Sequence, residues 1–421
     1  MSDPLGLSIG TTNLVAARVG APPLLRRAVT MSAGGMPITG FVERVGDPVP
    51  LVAADGSQHR AESLLAQALA VMVQADGAAP SDITVARPAY WGSAAVAALR
   101  EATRAVPALS PNGFGPTMIS DATAAVAALA VDPGLPTDGI VALVDFGASG
   151  TSFSLFDAGA DFTAVGETLR YNEFSGEAID QLLLTHVVSG LSTLDPAATA
   201  AVESLTRLRE DCRRAKELLS SQSTAEVVVE LPAQHGRVRL TRSELEAQIA
   251  DLLTGAVGSL REMLIRNGIA PARVAAVATV GGVASIPAIT QRLSEEMRVP
   301  VVTTPRPELN AAAGAAVHSA RVSGAEAPTA AGGGAVLAPA TDEFGSSTYR
   351  ALAWSEDDRV DDEPVPYVGE DYSFLDRLRG LRWSSLRRLS QRRLGGTEGP
   401  WRLSGWRLCC RSWQSAQSRT H

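Results

Sequence analysis

Lysine is almost absent from this chain: Lys216 stands alone among 37 lysines and arginines. So complete a preference for arginine reads as the mark of a GC-rich genome rather than of a nucleic-acid surface. The formal net charge of −8 has the wrong sign for a nonspecific DNA or RNA binder. Cysteine is equally scarce. Cys212, Cys409 and Cys410 lack metal-ligand spacing, and the last two are adjacent, which argues against a disulfide framework or a zinc site. No segment approaches the ~18–20 consecutive apolar residues of a membrane span, and the N-terminus shows no apolar core of a signal peptide. The expected compartment is the reducing cytoplasm.

At 421 residues the chain can hold two or three domains, or one bilobal unit with a tail. Apolar periodicity predicts a hairpin over residues 5–20, irregular strand and turn over 38–52, and an amphipathic helix from Ser63 to Val73. A strand Asp82–Arg87 ends at Pro88, a helix covers 93–105, and a strand Thr117–Ser120 enters a helix Ala122–Ala130. After a Pro/Gly linker at 133–139, the apolar strand Ile140–Asp145 opens a second half. Helices follow at 175–190 and 197–219, then a hairpin of Glu226–Leu231 with Arg237–Leu240, and a helix at 242–266. A buried strand Val274–Val280 precedes helices Pro287–Met297 and Asn310–Arg321. This order predicts two α/β lobes whose helices cover their sheets, with the two halves open to being distant structural duplicates.

Residues 323–373 are Ala/Gly/Ser/Pro-rich and then acidic, a composition expected to remain disordered. Residues 374–421 change character, with eleven arginines against Asp376 and Glu398 and four of the six tryptophans. Phe374–Leu394 reads as a basic amphipathic membrane-surface segment, or the whole stretch as a tail translated out of frame or truncated. Neither reading carries function, and residues 323–421 are expected to contribute nothing to folding.

Two glycine-centred turns carry the chemistry. Gly10-Thr11-Thr12-Asn13 follows the apolar run ending at Ile9, and Gly147-Ala148-Ser149-Gly150-Thr151 follows Asp145-Phe146. Small residues leave backbone N–H groups unobstructed, and with Ser/Thr hydroxyls these can hold phosphate oxygens. Each turn alone reads equally as a plain hairpin. Two of them one lobe apart point to a phosphate chain gripped from both sides. The pair Gly281-Gly282, between a buried strand and a helix, lets a flat base and ribose approach the backbone.

The order of these motifs resembles the nucleotide-binding domain of the DnaK-type heat-shock chaperones, within the actin, hexokinase and heat-shock superfamily, over residues 4–322. Gly6–Asn13 looks like the first phosphate loop and Asp145–Ser154 like the second. Ile83–Trp91 resembles a strand entering a Pro-Ala-Tyr turn, and Ile119–Ala125 the first connecting helix. Cys212–Ser221 resembles the helix whose lysine and serine reach the adenosine, here Lys216 and Ser220. Val280–Pro287, with Gly281, Gly282 and Ser285, resembles the adenosine loop, and Pro307-Glu308 with Ala313–Ala316 the second connecting helix.

The resemblance implies a bilobal actin-like fold with lobe I over 1–140, lobe II over 141–304 and a closing helix over 305–322 that returns to lobe I. It implies ATP or ADP as ligand and Mg²⁺ near Asp145, with Asp145 and Asp121 as the catalytic carboxylates. Asp121 also reads as a cap for the helix at Ala122. Departures from the family pattern predict a weakened Mg²⁺ site and slow hydrolysis. Ser8 replaces an aspartate, the segment bearing the catalytic lysine is missing, Ser152 or Ser154 occupies a second acidic position, and Ser285 stands for an arginine. The expected function is a nucleotide-dependent switch with weak or absent ATP hydrolysis, read by a protein partner, without the family's peptide-binding module. The alternatives are an active ATPase chaperone completed by a partner, a small-molecule kinase, and a bacterial-actin-like scaffold.

Overall fold

The computed structural model of the chain describes residues 4–77, 79–111, 113–189, 199–231 and 234–322. The segments expected at 323–373 and 374–421, with Cys409 and Cys410, lie outside the described residues. The first lobe begins with β1 (Leu5–Ile9), β2 (Asn13–Ala17) and β3 (Leu24–Arg27). Two small hairpins follow, β4 (Thr30–Met31) with β5 (Pro37–Ile38) and β6 (Leu51–Val52) with β7 (Gln58–His59). Then come α1 (Ala61–Asp76), β8 (Ile83–Arg87), α2 (Ser93–Arg104), β9 (Thr117–Ser120) and α3 (Asp121–Val131).

The second lobe has β10 (Ile140–Phe146), β11 (Thr151–Asp157), β12 (Thr163–Tyr171), α4 (Gly176–Ser189) and α5 (Thr199–Leu219). It continues with the hairpin β13 (Thr224–Leu231) and β14 (Gln234–Thr241), then α6 (Arg242–Arg266), β15 (Val274–Val280), α7 (Pro287–Met297) and β16 (Val301–Val302). Helix α8 (Asn310–Val322) closes the described chain.

The two main sheets have the same plan. One runs β3-β2-β1-β8-β9 and the other β12-β11-β10-β15-β16. In each, the first three strands are antiparallel and the last two join in parallel. The halves are therefore structural duplicates, the relation that sequence left open. Parallel strands must be covered on both faces, and β1, β10 and β15 are accordingly apolar and almost wholly buried. Helix α1 packs on the first sheet and is buried around most of its circumference. Only Ser63, Gln67, Val71 and Gln74 form an exposed stripe along its length before the C-terminal end, narrower than an ordinary amphipathic helix presents.

The connecting helices cross between the lobes. Helix α3 follows a first-lobe strand, yet Ala122, Ala125, Val126 and Leu129 pack on Val141, Leu143, Phe156, Ala278 and Val280 of the second sheet. Helix α8 follows a second-lobe strand, yet Ala312 packs with Val15 and Ala17, and Ala315 with Ala86. The two helices touch where a Cβ on Gly314 would run into the Ala124 carbonyl. Alanine and glycine are needed here because the backbones meet. The architecture is the bilobal actin-like α/β fold.

Candidate nucleotide cleft

The tips of β1–β2 and β10–β11 are matching turns. Gly10 N donates to Asn13 O at 3.0 Å, and Gly147 N donates to Gly150 O at 3.0 Å. A Cβ on Gly10 would press on the Asn13 carbonyl and one on Gly147 on the Gly150 carbonyl, so each turn requires glycine at its first position. Both tips line a single cleft of ≈ 1190 Å³ between the lobes.

The second turn is braced from behind. Gly176 N donates to Gly147 O at 3.0 Å and Glu177 N to Ala148 O at 2.8 Å, which satisfies two of the free N–H groups at the start of α4. Ser175 Oγ accepts from Ala178 N at 3.0 Å. Thr151 Oγ1 donates to Phe174 O at 2.8 Å, and the Phe174 ring stands edge-on to Phe146 at 5.7 Å. The turn is thus fixed to both α4 and the core.

Gly10, Thr11, Thr12, Asn13, Asp121, Asp145, Gly147, Ala148, Ser149, Lys216, Ser220, Gly281, Gly282 and Ser285 all line this cleft, and so does Ser8. Gly150 and Thr151 do not. Thr151 is wholly buried, and Gly150 makes room for the Arg170 guanidinium, which a Cβ would meet at 2.8 Å. Gly281 adopts φ +84, and a Cβ there would collide with Asp145 Oδ1 and the Phe146 carbonyl. Its neighbour Gly282 faces open space, so its small size keeps the cleft clear rather than the backbone unstrained.

Asp121 and Asp145 both line the cleft, one from each lobe. Asp121 Oδ1 accepts from Ala89 N at 2.9 Å. The helix cap is Ser120, whose hydroxyl accepts from Thr123 N at 3.0 Å, so the capping role read for Asp121 belongs to its neighbour. Burial, with the Asp145 charge second, pushes Asp121 up to about 8. Burial also pushes Asp145 up to about 6, against the pull of the Arg170 guanidinium. Two carboxylates that resist joint ionisation favour a cation between them and their ligand. Among the described residues no group of three or more His, Cys, Asp or Glu forms a metal cage. Two carboxylates facing the cleft, Asp121 and Asp145, suit an ion that keeps its waters and takes phosphate oxygens, as Mg²⁺ does.

Lys216 is held beside the start of α4, under the second turn. Its Nζ lies 2.6 Å from Asp180 Oδ1 and donates to Gly176 O at 2.8 Å. Ser220, one turn on, reaches back to the Lys216 carbonyl at 3.4 Å. On the neighbouring face of α5, Leu208, Cys212, Ala215 and Leu219 enter the core, and burial pushes the Cys212 thiol up to about 12, which leaves it inert. At the cleft mouth Arg27 of β3 donates to Glu210 of α5 at 2.8 Å and so bridges the lobes.

Sequence reasoning missed Arg170, Asp180 and the Arg27–Glu210 bridge as parts of this site.

A family model described as Hsp70 protein matches residues 36–330. The chain belongs to the Hsp70 family. Hsp70 proteins bind ATP or ADP with Mg²⁺, and the cleft has the donors such a ligand requires. The Hsp70 match begins after the first glycine turn, so the kinship of that turn with the second rests on its geometry. A chaperone protein HscA homolog of Shewanella denitrificans is 26% identical over 203 residues, which is 48% of this chain and 32% of that protein. The match thus spans about a third of the length of this curated relative. Among the described residues no helix is long and apolar enough to cross a membrane.

Proposed function

We propose that this Hsp70-family chain is a nucleotide-dependent conformational switch that binds ATP or ADP between its lobes and hydrolyses ATP slowly or not at all. The observation that carries this reading is the pair of matching glycine turns facing one cleft, joined by two helices that cross between the lobes. A phosphate chain held by both turns pulls the lobes together. The α3–α8 crossing at Gly314 is the place about which they close.

In this reading Thr11, Thr12 and Asn13 hold the phosphates from the first lobe, and the Gly147–Ser149 backbone holds them from the second. Gly281, Gly282 and Ser285 receive the base and ribose, with Lys216 and Ser220 on the facing side. Asp145 and Asp121 hold the hydrated Mg²⁺, and Asp121 orients the attacking water. Mg²⁺ supplies charge neutralisation of the phosphates when bound. Hydrolysis also needs charge stabilisation of the departing phosphate. Of the serines at the family's acidic positions, Ser8 lines the cleft with a neutral hydroxyl while Ser152 and Ser154 lie outside its lining, and the chain's one lysine is paired with Asp180. Binding is therefore favoured over chemistry, and the Mg²⁺ site is weak. The output is a lobe closure read by a protein partner.

The test is calorimetric titration with ATP and ADP, with and without Mg²⁺, followed by turnover of radiolabelled ATP. Tight binding with near-background turnover supports the switch. Turnover at the rate of an active chaperone ATPase, abolished by Asp145→Asn, sinks it.

A further inference from the structure

Arg170, near the end of β12, extends its side chain to the second glycine turn. Nη2 donates to Ser149 Oγ at 2.8 Å and Nη1 to Ser152 Oγ at 3.0 Å. The guanidinium carbon lies 4.1 Å from the ring centroid of Tyr90, which belongs to the other lobe. Nε is buried and has no hydrogen-bond partner. Gly150 is what admits this group, because a Cβ there would press on the guanidinium.

A guanidinium is always charged, and a covered charge is costly unless an opposite charge or a full set of hydrogen bonds compensates it. Arg170 has neither. Its partners are two neutral hydroxyls and an aromatic face, and among the described residues it makes no ion pair. The other cations lining the cleft are paired or, like Arg26 and Arg209, exposed to solvent. Lys216 is paired with Asp180, Arg27 with Glu210, and Arg213 with Glu210 and Glu217. Arg170 lines the same cleft beside the turn whose N–H groups suit an anion. A planar fork with spare donors at that point matches phosphate oxygens.

We propose that Arg170 is a polyphosphate-binding residue that contacts the outer phosphates of the nucleotide, its plane set by Tyr90 across the cleft. The assignment rests on the nucleotide reading above. It makes Arg170 the residue that distinguishes di- and triphosphates from a monophosphate, and it places the sensing contact on a stack that spans both lobes.

The experiment titrates the full chain, as wild type, Arg170→Met and Arg170→Lys, with ATP, ADP, AMP and tripolyphosphate, with thermal unfolding of each variant recorded. The expected result is a loss of ATP affinity of ~10-fold or more for Arg170→Met, in line with a charge-assisted hydrogen bond, with a smaller loss for Arg170→Lys. AMP affinity stays within ~2-fold because AMP lacks the outer phosphates. Should Arg170→Met fail to fold, the ATP-to-AMP affinity ratio of Arg170→Lys decides, and a ratio equal to wild type overturns the assignment. Equal ATP binding by wild type and a folded Arg170→Met also overturns it, as do equal losses for ATP and AMP. Wild type that binds tripolyphosphate through Arg170 but no nucleotide removes the nucleotide reading and keeps the phosphate site. Wild type that binds neither removes both.

Discussion

Lys216 Nζ and Asp180 Oδ1 form an ion pair at 2.6 Å, with side chains only 10% and 5% exposed. The pair joins the last turn of α5 to the first turns of α4, beneath the second glycine turn. An ammonium has three donors. The Gly176 carbonyl takes one, and Asp180 faces the ammonium as an ion pair, so Lys216 keeps a donor for a ligand in the cleft.

Lys216→Met should therefore do two separable things. Leaving Asp180 buried without its partner costs about 3–5 kcal/mol of stability. Losing the remaining donor costs ~1–2 kcal/mol of nucleotide binding. Lys216→Met combined with Asp180→Leu should recover most of the thermal stability but not the affinity. Thermal unfolding and calorimetry of both variants check this, and full recovery of affinity in the double variant would confine Lys216 to a structural role.

The carboxylate pair gives the ligand-free protein an inverted pH response. Both groups titrate above the ordinary range when folded, so the folded state holds more protons than the unfolded one between about pH 4 and the value of about 8 reached by Asp121. Their contribution to stability is full below about pH 4 and is lost as pH rises through that window. Asp121→Asn should flatten the slope. Mg²⁺ with ADP should flatten it in wild type as well, by neutralising the pair. Melting temperatures from pH 5 to 8.5, with and without ligand, test the sign.

The adjacent glycines of the nucleoside loop should respond differently to substitution. Gly281→Val faces both a left-handed φ and a collision with Asp145 and Phe146, and should lower stability as well as abolish nucleotide binding. Gly282→Val meets no neighbouring atom and should fold normally while weakening ATP. A Gly281→Val protein with wild-type affinity would remove this loop from the site.

Ser8→Asp restores a carboxylate to the first lobe's side of the cleft. Ser8 is 6% exposed, so the ligand-free variant should be less stable at neutral pH, as a third covered acid joins Asp121 and Asp145. Nucleotide affinity should become more dependent on Mg²⁺ concentration before any rise in turnover. Titration over a Mg²⁺ series, beside an ATPase assay, separates the two effects.

Elements with strong local periodicity were legible from sequence, and the strand Val274–Val280 and the helices at 242–266 and 287–297 have the expected bounds. Strand β12 was not. It is an edge strand of mostly exposed or half-buried residues, with Gly166 at positive φ and a register shift against β11, so no alternation marks it. Arg170 was lost with it. The glycine turns were visible because their chemistry is local. The Lys216–Asp180 pair and the Arg27–Glu210 bridge join residues far apart in sequence, and nothing in either segment names its partner. The resemblance named α3 and α8 as connecting helices and had α8 return to the first lobe, but the residues of α3 alone did not show that it would leave its own lobe to cover the other.

That exchange of helices means the two halves cannot be separate folding units. A fragment cut near residue 139 would leave the second sheet without α3 and the first without α8, each with a bare apolar face. Severed halves should be insoluble alone and should reconstitute a folded particle when mixed. The intact chain should unfold in one transition despite its duplicated plan, because neither half owns the helix that completes its core.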